Sequence, residues 1–451
     1  MRRRLLCLAL ASPAVVVGWG LFTRITLASP DEPVPPRDKP GWTTAVEPKP
    51  LSAAALKGLG WLAEHQLPSG GWGQGEESAN MGGGGALKDT PNVADTCVAA
   101  LAMIRSGSTP TSGQYKDAIV KAVGFVRSQV DASDARSLSV SSVQGTRVQQ
   151  KLGPNIDTFL ASILLAEVKG RMPDDASKKW VDAALAKVVG KIGAHQKADG
   201  TFDGAGWAPI LAQAMCGKGV NRAAQAGAEV PQVVLARAEE NARHGFAAPA
   251  APAGGIGGGI SAGKSSYSAA RGDAGVALYG VAADLGVLQD SVNTNQAKKR
   301  DLLVEAEKGK DEESRLKAKT KLGEIANLEK AQDDNRAAVV ARLDDKQFVS
   351  GFGSNGGEEF LSYMNIAESL VVKGGDEWKK WDDSMSGNLQ RVQNGDGSWS
   401  GHHCITGRTF CTSTALLVMM ADRTPIPVKA KDDAPKPSPE PAKAAPATEN
   451  R

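Results

Sequence analysis

Lys57 to Trp72 reads KGLGWLAEHQLPSGGW, and the reading of this stretch decides the fold. Leu59 and Leu62, with Trp61 beside them, form an apolar stripe at helical spacing that runs up to Gln66. After three residues comes Gly70, and after one more the aromatic Trp72. A second apolar run, DTCVAALAMI, opens at Asp95. The order is helix, tight turn, loop, helix. The same arrangement returns in IGAHQKADGTF (Ile192–Phe202), with Gln196, Gly200 and Phe202, and in LQRVQNGDGSW (Leu389–Trp399), with Gln393, Gly397 and Trp399. A large aliphatic residue stands four places before each Gln, and Phe125 with Gln129 looks like a further copy that has lost its turn. At the end of a helix a Gln amide can bond backbone groups that lack an intrahelical partner. Glycine supplies the positive-φ turn. The aromatic is expected to fold back over the next helix start and staple neighbouring hairpins.

Period-3.6 patterning dominates the rest of the chain, and β-type alternation is scarce. The first hairpin runs from about Leu51 to Arg105, with a long loop from Gly73 to Pro91. The second pairs YKDAIVKAVGFVRSQV with IDTFLASILLAEV, and the third KKWVDAALAKVVGKIGAHQ with GWAPILAQAM. The fourth pairs PQVVLARAEENARHG with DAGVALYGVAADLG. The fifth is interrupted by a Lys-, Glu- and Asp-rich segment over 290–346, read as long solvated helices forming an outer arm that the ring can lose, with EEFLSYMNIAESLVV as inner partner. The sixth pairs EWKKWDDSMSGNLQRVQ with FCTSTALLVMMA. Gln66, Gln129 and Gln196 are spaced by roughly one 65-residue step each, and Gln196 to Gln393 by roughly three. In each hairpin the second helix is the more apolar. The expectation is therefore an all-α chain: an (α/α)6 toroid of six hairpins in two concentric layers over 51–423, with a charged helical insertion.

The 451 residues carry a net charge of +3, too little to argue for a nucleic-acid partner. MRRRLLCLALASPAVVVGWGLF has basic residues ahead of an apolar run, and Leu27-Ala28-Ser29 offers a cleavage point. Residues 1–29 are read as a signal peptide or N-terminal anchor, so the protein is expected to be exported, or tethered to a membrane if the run is not cleaved. Residues 30–50 read as a Pro-rich linker, and 424–451 as a disordered Pro/Ala/Lys tail. Beyond Cys7 stand Cys97, Cys216, Cys404 and Cys411, which an oxidising compartment could pair or the core could bury as thiols.

The three turns resemble the QW motif of the prenyltransferase and squalene oxidase repeat, found in squalene–hopene cyclases, oxidosqualene cyclases and protein prenyltransferases. The first copy matches best, because the Lys/Arg-Gly lead-in of that family is present as Lys57-Gly58. The resemblance implies the same toroid. It also implies a place for chemistry, since protein prenyltransferases hold a catalytic zinc with an Asp-x-Cys at the start of an inner helix plus a His. Asp95 and Cys97 match that pair, with His402 or His403 as the third ligand if the sixth hairpin closes on the first. Against it, Asp157-Thr158-Phe159 occupies the equivalent place without a thiol. The Asp-x-Asp-Asp acid motif of the cyclases is absent, and aromatics make up only 5% of the chain, few for a carbocation pocket.

The inner helices open on Asp95, Asp157, Asp273 and the pair Glu358-Glu359. In a toroid these carboxylates gather round one mouth, where they serve as helix caps, as an acidic rim for a ligand, or as an acid/base pair. No nucleophile elbow, phosphate loop or dinucleotide fingerprint occurs. The functional expectation is an exported toroid that binds a small molecule or protein partner. Its alternatives are an isoprenoid enzyme using the central cavity and a carbohydrate-active (α/α)6 enzyme using rim carboxylates.

Overall fold

Two kinds of helix alternate along the chain, and their sequences explain the difference. IDTFLASILLAEV offers no polar face, and as a helix it has nowhere to go but inside; KDAIVKAVGFVRSQVDA offers one apolar stripe and one charged face. The computed structural model describes residues 42–81, 85–204, 206–247 and 274–427. It is helical almost throughout these residues, as the periodicity requires.

The more buried series comprises α2 (Val93–Arg105), α5 (Ile156–Val168), α7 (Pro209–Gln225), the first half of α9 (Ala277–Lys308), α12 (Gly357–Lys373) and α14 (Arg408–Met419). Every residue of α2 and α5 is buried. Between them come the amphipathic helices α1 (Ala53–Glu64), α3 (Lys116–Ala132), α6 (Asp175–His195), α8 (Gln232–Ala247), α10 (Glu312–Val340) and α13 (Gly375–Val392). Two short helices, α4 (Arg147–Leu152) and α11 (Lys346–Val349), lie in connections. Helix α2 packs on α5, α5 on α7, α7 on α9, α9 on α12, α12 on α14, and α14 on α2. The amphipathic helices pack outside this cycle, each on the buried helix that follows or precedes it.

In the three turns Gln bonds backbone groups and Gly takes positive φ as expected, but the aromatic is not the staple between hairpins. Gln66 Nε2 donates to Gly70 O at 2.8 Å, within its own turn, and to Ala118 O at 2.9 Å, in the first turn of α3. Gln393 repeats both bonds, to Gly397 O (2.8 Å) and to Ala54 O in α1 (2.9 Å). Gln196 reaches Val234 O in α8 at 3.4 Å. Gly70, Gly200 and Gly397 have φ of 88°, 83° and 93°, and a Cβ at Gly70 or Gly397 would stand 2.6 Å from Lys121 O or 2.9 Å from Lys57 O. Gln and Gly are therefore the staple between one amphipathic helix and the next. The aromatic works within its own hairpin: the indole N–H of Trp72 donates to Leu62 O and that of Trp399 to Leu389 O, both at 2.8 Å. Their backbone N–H groups donate to Thr96 and Thr412 Oγ1 on the inner helix, both at 2.9 Å. Gln129 makes no such turn; α3 runs on to Ala132, and the Gln129 amide meets the exposed Ser142.

The charged segment is helical, but it does not begin where its composition changes. Helix α9 continues unbroken past residue 290, so that Asp290, Ser291, Asn293 and Thr294 are buried. Helix α10 returns along α9, and its Leu328 and Val339 join the core. The solvated part is the far end, where Leu303, Val304 and Leu316 are exposed. The chain enters and leaves together: Trp42–Thr43 pairs antiparallel with Ile426–Pro427.

Candidate functional site

The two ends of the buried helices differ in chemistry. Away from their N-termini they hold a six-residue ion network. The Arg105 guanidinium grips the Glu167 carboxylate with both Nη atoms and lies 3.5 Å from Glu368. Lys218 Nζ donates to Asp290 (2.8 Å) and Glu368 (2.7 Å), and Arg222 Nε to Asp290 (2.9 Å). Arg222 also donates to Pro425 O at 2.6 Å, and Thr424 to Glu368 at 3.2 Å, which pins the last described segment across this end. Three cations face three anions, all buried. Burial works against the Glu368 charge, but Lys218, Arg222 and Arg105 outweigh it and hold the carboxyl down at about 2. Between this network and the apolar residues Val98, Leu160, Met215, Leu361 and Leu417 the centre keeps a cavity of about 20 Å³, with no aromatic in its lining. That is room for about one water molecule.

The N-terminal ends carry the carboxylates. Asn92, rather than Asp95, caps α2; Asp95 lies in the first turn, where one oxygen accepts from Asn92 Nδ2 (2.7 Å) and the other has no partner. Burial raises its pKa to about 7. Asp157 accepts from Ala94 N (3.0 Å) and Gln149 Nε2 (2.7 Å), so it caps the neighbouring hairpin's helix; burial raises it to about 6. These two are structural ties. Asp273 lies outside the described residues.

Glu358 and Glu359 are less completely satisfied. Glu358 accepts from Ile405 N (3.1 Å), while its Oε1 has no hydrogen-bond partner. Burial, then the charge of Glu359, raises it to about 8. Glu359 Oε1 accepts from Tyr279 OH (2.5 Å) and Phe352 N (2.9 Å), and Oε2 faces His403 Nε2 at 3.5 Å, close enough for charge attraction but without a hydrogen bond. Burial depresses the imidazole pKa of His403. Glycine at 353 and 356 makes room for that ring, since a Cβ at either would come within 2.8 Å of it. Cys404 sits next to Glu358 at φ 56°, a left-handed conformation costly for a β-carbon residue. Burial and then Glu358 push its thiol up to about 12, so it is no ready nucleophile.

Above these groups runs a chain of rings: Tyr279 to Trp207 (centroids 6.0 Å), Trp207 to Phe352 (5.3 Å), Phe352 to His403 (5.2 Å). Phe352 is 56% exposed. Lys151 Nζ lies 5.6 Å from the Trp207 centroid. Apart from the carboxylates and His403, no motif in the sequence marks this set. The one available signal was the glycine-dense GFGSNGG before an inner helix that opens on two glutamates.

The zinc set does not assemble. His402 is exposed, and His403 faces Glu359 rather than Asp95. Cys97 is buried with its thiol pushed well up by desolvation. Among the described residues no three His, Cys, Asp or Glu side chains converge on a common point as metal ligands would. The four described cysteines are free and buried. No described helix is long and apolar enough to cross a membrane; the expected signal or anchor at 1–29 lies outside these residues.

Comparison with family models, with curated proteins and with solved structures finds no match for this chain.

Proposed function

We propose that the protein is an exported (α/α)6 toroid, built on turns of the prenyltransferase and squalene oxidase repeat type, that binds a ligand or partner at the end where the inner helices begin. Support for the ring comes from the cycle of helix contacts that returns from α14 to α2, and from the Gln–Gly turns that fasten successive outer helices. Export rests on the sequence of residues 1–29 alone. One observation carries the functional reading: the space between the buried helices is only about 20 Å³, while the N-terminal end presents the exposed Phe352, part of a chain of rings, near two carboxylates that each have an oxygen without a partner. Buried polar atoms without partners are uncommon and mark places where a ligand can supply the missing donor.

The isoprenoid alternative needs a deep aromatic cavity, and the central space of about 20 Å³ offers none. The carbohydrate-hydrolase alternative needs two accessible carboxylates flanking a substrate, and Asp95, Asp157, Glu358 and Glu359 are all fully buried. Hydrogen–deuterium exchange of the full chain tests the choice. With a metabolite fraction from outside the cell, protection is expected at 350–357 and 401–407 and should vanish in Phe352→Ala. Protection of the centres of α5 and α12 by farnesyl diphosphate would replace this reading by the isoprenoid one.

A further inference from the structure

The three turns are not equivalent, and the odd one leaves a cavity. Trp72 and Trp399 are fully buried, each held by an indole N–H bond and a backbone bond to an inner-helix threonine. The middle copy has Phe202, which has no N–H to donate. It is only half-buried, and its ring rests against Phe159 of α5 with centroids 5.0 Å apart and planes at 50°. Beside the pair opens a cleft of about 310 Å³ between the segments leading into α5 and α7. It is some fifteen times larger than the cavity at the centre of the helices, and its lining does not include Phe352, His403 or the glutamates of the barrel end.

The lining sets the chemistry. Phe159 and Phe202 form an apolar corner. Around it stand Asn155, Gln213, Lys197 and Asp203. Lys197 and Asp203 pair at 2.6 Å, so the wall carries no net charge and selects no ion. Asn155 Nδ2 donates to Asp203 O at 3.0 Å, whereas the Gln213 amide makes no hydrogen bond among the described residues. A purely apolar guest would leave the Gln213 amide and the ion pair facing carbon. A polyhydroxylated ring suits both halves, because its C–H face lies on a phenyl ring and its hydroxyls both donate and accept.

We propose that the cleft between Phe159, Phe202 and Gln213 is a binding site for a neutral sugar ring, separate from the site at the barrel end. The substitution of Phe for Trp in the middle turn is what opens it, so the repeat that departs from its siblings is the one adapted to a ligand. Asn155 and Gln213 fix the orientation of the hydroxyls, and the Lys197–Asp203 pair forms the rim.

Saturation-transfer NMR on the full chain, with methyl glycosides of glucose, galactose, mannose and N-acetylglucosamine as probes and indole as apolar control, tests this. At least one glycoside should bind saturably in the millimolar range, with the strongest transfer to its ring C–H protons. Phe202→Ala should weaken it at least tenfold, as should the milder Gln213→Ala, with both melting cooperatively. Phe352→Ala should leave it unchanged, which separates this site from the one at the barrel end. Absence of transfer to every glycoside would overturn the proposal. So would binding of indole alone, or glycoside binding indifferent to both cleft variants.

Discussion

Gln393 Nε2 donates to Ala54 O at 2.9 Å across 339 residues of chain, and Gln66 makes the same bond to Ala118 across 52. The long bond and the short one have the same local surroundings: a Gly at positive φ four residues on, and an outer helix beginning beneath it. The turn after α13 thus bonds α1 as the turn after α1 bonds α3.

Gln393→Ala should therefore cost more than its distance from any site suggests. It strips two carbonyls of a donor at a partly buried contact, a loss of about 1–3 kcal/mol. Gln129→Ala, which loses only contacts with the exposed Ser142, should be within about 0.5 kcal/mol of wild type. Urea denaturation of both variants measures the difference. Truncation after Val392 should go further and yield an aggregated chain, because it removes α14 from between α12 and α2.

The other terminus of the fold is more demanding than its composition implies. A tail reading that starts at residue 424 includes Thr424 and Pro425, which bind Glu368 and Arg222, and Ile426–Pro427, which pairs with Trp42–Thr43. A chain ending at Ser413 would lose the second half of α14; one ending at Thr424 should lose several degrees of melting temperature relative to one ending at Pro427. Equal melting curves for the last two would show that the strap adds nothing.

Glu358→Gln should stabilise the protein in a pH-dependent way. The folded pKa of about 8 stands above the ordinary 4.5, so the native state holds this proton more tightly than the unfolded chain. Its stabilising contribution is complete below about pH 4.5 and is lost as pH rises through 8. The variant and wild type should match near pH 4.5, with the variant more stable at pH 8.5, a difference read by thermal melts across that range.

Glu368 has the opposite sign. Its pKa is held at about 2, so its contribution is present above about 4.5 and disappears as pH falls toward 2. Glu368→Gln leaves Lys218 and Arg222 short of a buried counter-charge and should cost about 3–5 kcal/mol at neutral pH. Chemical denaturation at pH 7 and pH 3 should show that gap narrowing in acid.

Deleting the whole charged segment, 290–346, should unfold the protein, because it removes Asp290 from the ion network and Leu328 and Val339 from the core. Replacing only the far end, about 300–320, by a short linker should leave the melting transition within a few degrees of wild type. Collapse of the shorter deletion would mean that the exposed Leu303 and Leu316 have a packing role.

The sequence by itself determined the helices, the division into apolar and amphipathic partners, and the places of the Gln–Gly turns. These depend on spacing within a dozen residues, where helical period and a glycine's φ act directly. It also placed Asp95, Asp157, Glu358 and Glu359 at helix starts. Tertiary structure alone decided what those carboxylates meet. Asp157 became a cap because a neighbouring hairpin's helix lay within reach, and Asp95 was tied to the capping Asn92, while Glu359 acquired Tyr279, Phe352 and His403 from three separate segments. The same holds for Arg105, Lys218, Asp290 and Glu368, which look like ordinary helix charges in one dimension and become a buried network only when their helices pack together. A charge's neighbours along the chain say whether it can be solvated; only the assembled helices say whether it is.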